Sequence, residues 1–139
     1  MREFTLQVDI FSSEADLNRS RRVIKLLLDT LFWIDVSYLI ANPRVPRLYQ
    51  SGVVYRREPA GRENWQDVGT NLKLKEADCE DLACHRAAEL YVFGHDKRVR
   101  PYLVYRVFGK ATLYHVKVKH GNGTLEDPSA KLGMGKEEY

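Results

Sequence analysis

Ala77-Asp78-Cys79-Glu80-Asp81-Leu82-Ala83 reads as the opening of a helix with a thiol in its first turn. Asp78 is a good N-cap, and Asp81, three residues on, supplies the acidic half of a capping box. Cys79 is then the first helical residue. A thiolate there feels the positive end of the helix dipole and the unpaired backbone N–H groups, and both lower a thiol pKa. The same N–H groups suit a developing oxyanion. Glu76, Asp78, Glu80 and Asp81 act the other way, because negative charge opposes a thiolate. A free cysteine is also commonly just a small buried residue, so the local sequence leaves both roles open.

The helix is expected to run to Phe93, with Gly94 as its C′ stop. Leu82, Ala83, Ala87 and Ala88 surround Cys84 with a small-residue packing face, which assigns Cys84 to the core. Cys79 and Cys84, five apart, point to different faces and do not suit a disulfide with each other. Downstream, Tyr102 to Phe108 and Thr112 to Lys119 are β-rich around a Gly109-Lys110 turn, and Gly121-Asn122-Gly123 turns the chain into a short strand, Thr124 to Asp127. Upstream, Phe4, Leu6, Val8 and Ile10 alternate as a half-buried strand. Ser12-Ser13 then offers an N-cap with Glu14 and Asp16 behind it. Leu17, Ile24, Leu27, Leu28 and Leu31 carry helical spacing until Asn42-Pro43. Arg44 to Gly69, rich in Pro and Gly, reads as an irregular wall or lid with a short strand at Val53, Val54 and Tyr55. The tail from Gly133 reads as frayed. The sum is α+β.

His115 sits in Tyr114-His115-Val116-Lys117-Val118-Lys119, on the polar face of its strand with Lys117 and Lys119. It is either a base facing a cleft or a structural histidine. Asp127 precedes Pro128 and is therefore extended at a strand end. Directly opposed residues on antiparallel strands share a face. Pairing Val118 with Leu125 sets Asp127 opposite Val116, away from His115; a longer turn or a Gly bulge pairs His115 with Asp127. The sequence permits both. Glu126 is the alternative partner for His115.

A chain of 139 residues suits one domain, and 44% apolar with 29% charged residues excludes a disordered composition. A net charge of +3 is too small to imply nucleic acid, and the Arg and Lys clusters read as solvated faces. The most apolar stretch, Val23 to Ala41, holds Lys25, Asp29 and Asp35, which excludes a membrane span. No signal peptide is read at the start, and two cysteines do not make a disulfide framework. Cys79, Cys84, His85 and His95 lack close-paired ligand spacing, so zinc is not expected.

Ala77 to Ala83, Tyr114-His115-Val116 and Glu126-Asp127-Pro128-Ser129 together resemble the transglutaminase-like superfamily of papain-type cysteine enzymes, most closely small single-domain members of phages and prophages. Ser51-Gly52-Val53-Val54-Tyr55, Glu58-Pro59 and Trp65 are similar to their upstream part. Ala77 departs from the Gly that many members carry before Asp-Cys. The resemblance implies a papain/transglutaminase-like fold, with helices packed on an antiparallel sheet and the nucleophile at a helix N-terminus. The resemblance covers residues 45–134, the expected catalytic core; it does not place residues 1–44, read as an N-terminal strand and helix of the same domain, and 135–139 read as a flexible tail. It implies Cys79 as nucleophile, His115 as general base and acid, and Asp127 as orienter. The backbone N–H of Cys79 would be one oxyanion donor, with Gln50, Trp65 and Gln66 as candidates for a side-chain donor. The implied activity is amide or peptide hydrolysis, or acyl transfer, through a thioester. No cofactor and no metal are expected. The expected partner is a protein or peptide substrate, with neither membrane nor nucleic acid, and the expected setting is host cytoplasm or virion. The family also includes members without activity, so an inactive scaffold serving phage structure or assembly is the alternative.

Overall fold

The computed structural model describes residues 17–59, 63–109 and 111–135, so the strand expected at residues 4–10 and the helix cap at Ser12-Ser13 lie outside the described residues. Within them the chain is α+β. A long helix, α1 (Leu17–Ala41), is followed by a short strand β1 (Val54–Tyr55), helix α2 (Val68–Leu74), strand β2 (Glu76–Ala77) and helix α3 (Cys79–Val92). Strands β3 (Arg100–Phe108), β4 (Ala111–Lys119) and β5 (Leu125–Glu126) form an antiparallel sheet in that order, and helix α4 (Pro128–Lys131) follows.

The core lies where α3 meets α1 on one side and the sheet on another. Ile24, Leu28, Leu31, Phe32, Val36 and Leu39 keep the helical spacing of α1 and bury one stripe. Against them stand Ala83, Cys84, Ala87 and Ala88, whose short side chains let the helices approach, and Val116 and Val118 of β4. Cys84 is fully buried and its thiol donates to the Leu28 carbonyl at 3.5 Å, a packing role. Asp35 falls inside the apolar stripe. It is kept there by the Val68 N–H, which donates to it at 3.0 Å as α2 begins, and burial pushes its carboxyl well up.

Three expectations change. The segment 44–69 is not wholly irregular: Asp67 caps α2 by accepting from the Thr70 N–H at 2.9 Å. Gly69, which reads as a breaker, sits in the first turn of α2 where a Cβ would stand 3.0 Å from the Tyr38 ring. It is a close-approach residue rather than a stop. Gly94 stands at C′ after the C-cap Phe93 as expected, but it is His95 that takes the left-handed conformation, at φ 55°, while a Cβ on Gly94 would come within 2.8 Å of the Leu90 carbonyl oxygen. The tail does not fray at Gly133: Met134 is buried and donates its N–H to the Ser129 carbonyl, and the flexible tail expected over 135–139 lies, from residue 136, outside the described residues. β1 and β2 pair in parallel, Val54 with Glu76 and Tyr55 with Ala77, and so tie the irregular segment to the start of α3. Among the described residues no helix is long and apolar enough to cross a membrane.

Candidate active site

Asp78 and Asp81 form the expected capping box, so Cys79 is the first residue of α3. Asp81 Oδ2 accepts from the Asp78 N–H at 3.1 Å, and Asp78 Oδ1 accepts from the Cys79 N–H at 2.7 Å. That second bond occupies the N–H assigned to an oxyanion. The half-buried thiol donates to Glu80 Oε2 at 3.4 Å. It also meets the backbone N–H of Val116, the residue after His115 on β4. β5 pairs only as far as Val118, so the edge of β4 is open where the helix N-terminus arrives.

His115 and Asp127 are brought together. His115 Nε2 lies 2.9 Å from Asp127 Oδ2, on a strand position with no exposed surface. The register is neither of those expected: Val118 pairs with Glu126 and Lys119 with Leu125. Gly121, Asn122 and Gly123 form a three-residue loop closed by the His120 N–H on the Thr124 carbonyl, with Gly123 at φ 90°. Extending that register sets Asp127 opposite Lys117. Lys117 and His115 share a face, so Asp127 reaches the ring as a diagonal neighbour. Asp127 also caps α4 through the Ala130 N–H, which fixes the carboxylate. His115 is buried although it lies on the polar face of β4, with Asp127 against its ring and α4 packed on the strand.

Glu126 belongs to a different set. Arg86 Nε donates to it at 2.7 Å, His120 Nε2 lies 3.0 Å away, and the Tyr49 hydroxyl donates a short hydrogen bond. Those partners overcome its burial and bring the carboxyl down to about 2. His120, at the turn, is half-buried by this contact. Tyr49 and Arg86 carried no signal in sequence, since nothing local announces a pairing across 77 residues or 40.

No family model, no curated protein and no solved structure matches this chain.

The electrostatics at Cys79 oppose a thiolate. Burial, then Glu80 and Asp78, push the thiol well up, against a smaller downward pull from the Val116 N–H. Glu76, expected among these acids, instead pairs with Arg56 at 2.7 Å. Burial and neighbouring acids also raise the carboxyls of Glu80 and Asp81. Asp127 is opposite: burial pushes it up, but the His115 ring and the Ala130 N–H bring it below the usual carboxylate range. The candidate oxyanion side chains face solvent or already have partners. Gln50 is exposed, Trp65 Nε1 donates to Glu63 at 3.1 Å, and Gln66 Nε2 donates to Asn71 and to the Glu76 carbonyl. Two acidic groupings suit an ion among the described residues, Asp78 with Cys79 and Glu80, and Glu58 with Glu80 and Asp81. Neither contains Cys84, His85 or His95.

Proposed function

We propose that the chain is a cysteine-dependent amide or peptide hydrolase, or acyl-transferase, of the transglutaminase-like kind, working through Cys79, His115 and Asp127. The observation that carries the reading is the 2.9 Å His115–Asp127 contact on a buried strand, with the N-terminus of α3 and its thiol against the next strand residue. An ionised Asp127 can only accept, so His115 Nε2 bears a proton there, and in the neutral ring the lone pair is left to Nδ1. That tautomer makes Nδ1 the base.

In this mechanism His115 Nδ1 takes the Cys79 proton as the sulfur bonds to the substrate carbonyl carbon. The carbonyl π pair moves onto oxygen, and the Cys79 N–H exchanges Asp78 Oδ1 for that oxyanion. Collapse expels the amine, which takes the proton from His115 and leaves a thioester. Asp127 offsets the imidazolium charge between these steps. Water, deprotonated by His115, then releases the acid and restores the thiol; a lysine amine in its place forms an isopeptide bond. Transfer needs water excluded, and one small domain has limited means to exclude it, so hydrolysis is preferred.

A second reading, an inactive scaffold serving phage structure or assembly, draws on the acids beside Cys79 that push its thiol up and on the occupied Cys79 N–H. Iodoacetamide labelling at neutral pH separates the two. An active pair predicts that Cys79→Ala abolishes labelling, that Cys84→Ala leaves it unchanged, and that His115→Ala slows it by roughly a hundredfold. Equal rates in wild type and His115→Ala, with both folded, leave the scaffold reading standing.

A further inference from the structure

Glu58, Glu80 and Asp81 place three carboxylates from two segments around one point. One oxygen of each lies within 4.8 Å of the others. Ligands on opposite sides of a calcium- or manganese-sized ion stand about 4–5 Å apart, so the spacing suits one ion. We propose that these three residues bind a divalent cation that prefers oxygen ligands.

Two of the carboxylates are already oriented by backbone donors. The Asn64 N–H holds Glu58 Oε2 at 2.8 Å. The Gln66 N–H holds Asp81 Oδ1 at 2.7 Å, and the Asp78 N–H holds its Oδ2. A carboxylate oxygen has two lone-pair directions, so one N–H leaves the other for a metal. Glu80 is the third, and it points to a ligand by itself. It is 5% exposed, and its Oε1 is buried with no hydrogen-bond partner among the described residues. A buried carboxylate oxygen without a partner is costly, and a cation is the ligand that answers it.

Among the described residues, the charges around the cluster do not supply that cation. Those acting most on Glu80 are Asp81 and Asp78, and Arg56 is committed to Glu76. The dipole of α3 disfavours a positive ion at its N-terminus, but only as about half a charge against three carboxylates. All-oxygen ligation selects a hard ion such as Ca²⁺ or Mn²⁺. The neighbouring Asp78, Cys79 and Glu80 would suit a softer one. The site does not depend on Cys79 being a nucleophile.

Mn²⁺ titration of the full chain, with free ion read by electron paramagnetic resonance, tests it. One saturable ion per chain is expected. Glu58→Gln and Glu80→Gln should each weaken binding by about tenfold or more, while Cys79→Ala and the outlying Glu76→Gln change it by less than about twofold. Glu58 lies on a half-buried loop position, so its variant decides the matter even if Glu80→Gln does not fold. Absence of saturable binding overturns the proposal and leaves Glu80 as a protonated buried acid. Binding that survives both Gln variants overturns it as well. Binding lost in Cys79→Ala moves the ion onto the thiol and overturns the assignment.

Discussion

Asp127 and Glu126 adjoin in sequence, yet they hold different things. Asp127 meets the His115 ring, while Glu126 gathers Tyr49, Arg86 and His120. Asp127→Asn keeps the shape but lets an amide meet Nε2, which favours the wrong tautomer; labelling of Cys79 should fall by roughly a hundredfold with the fold retained. Glu126→Gln should do the reverse, leaving reactivity near wild type and costing about 1–3 kcal/mol in urea unfolding, since it strips a charge-assisted partner from Arg86. Swapped results would make Glu126 the orienter. The residue types of this site were legible because thiol, imidazole and carboxylate are recognisable in any order. The choice between Asp127 and Glu126 was not, because Tyr49 and Arg86 reach Glu126 from distant parts of the chain.

At the scale of elements, what was legible was local. The start of α3 is written in four residues, and the structure has both bonds of the box. α2 was hidden because Gly69 serves Tyr38 rather than the backbone, and a glycine fitted for packing looks the same in sequence as one fitted for a turn. The parallel pairing of β1 with β2 is non-local, and no periodicity encodes it. The register of β5 turned on whether the loop after His120 held two residues or three, which Gly-Asn-Gly alone does not decide. Parity then mattered more than register, since any even shift leaves Asp127 on the face of His115. The cap carries its own prediction. Asp78 serves the N–H groups of Cys79, Asp81 and Glu58 together. Asp78→Ala should cost about 1–2 kcal/mol, seen as a lowered melting temperature, while Asp78→Asn recovers most of it. An unchanged melting temperature in Asp78→Ala would mean that tertiary packing alone holds the start of α3.

Across the whole molecule the packing of α1 and α3 encloses polar groups whose charge states decide stability against pH. His85 has no exposed surface. Its Nδ1 lies 3.3 Å from Asn71 Nδ2, and its Nε2 faces Glu89 at 3.7 Å. Burial, then the Arg86 charge, take its pKa from the ordinary 6.5 down to about 3, despite a smaller upward pull from Asp67. The folded state therefore keeps His85 neutral where the unfolded chain would protonate it. A depressed folded pKa gives stability that is complete above about 6.5 and is lost as pH falls towards 3. Asp35 has the opposite sign: its raised carboxyl gives stability at low pH that is lost as pH climbs through the raised value. Glu126, held at about 2, adds to the acid side only below about 4.5. The first loss on acidification thus belongs to His85. Relative to His85→Asn, urea unfolding of the wild type should lose on the order of 2–3 kcal/mol between about pH 6.5 and 4.5, because the raised carboxyls act alike in both. His85→Asn keeps a partner for Asn71 but has nothing to protonate; it should start less stable at neutral pH and lack the acid-side loss that His85 gives the wild type across that window. If the variant keeps the wild-type slope there, the acid sensitivity lies in another group and His85 is already charged in the fold.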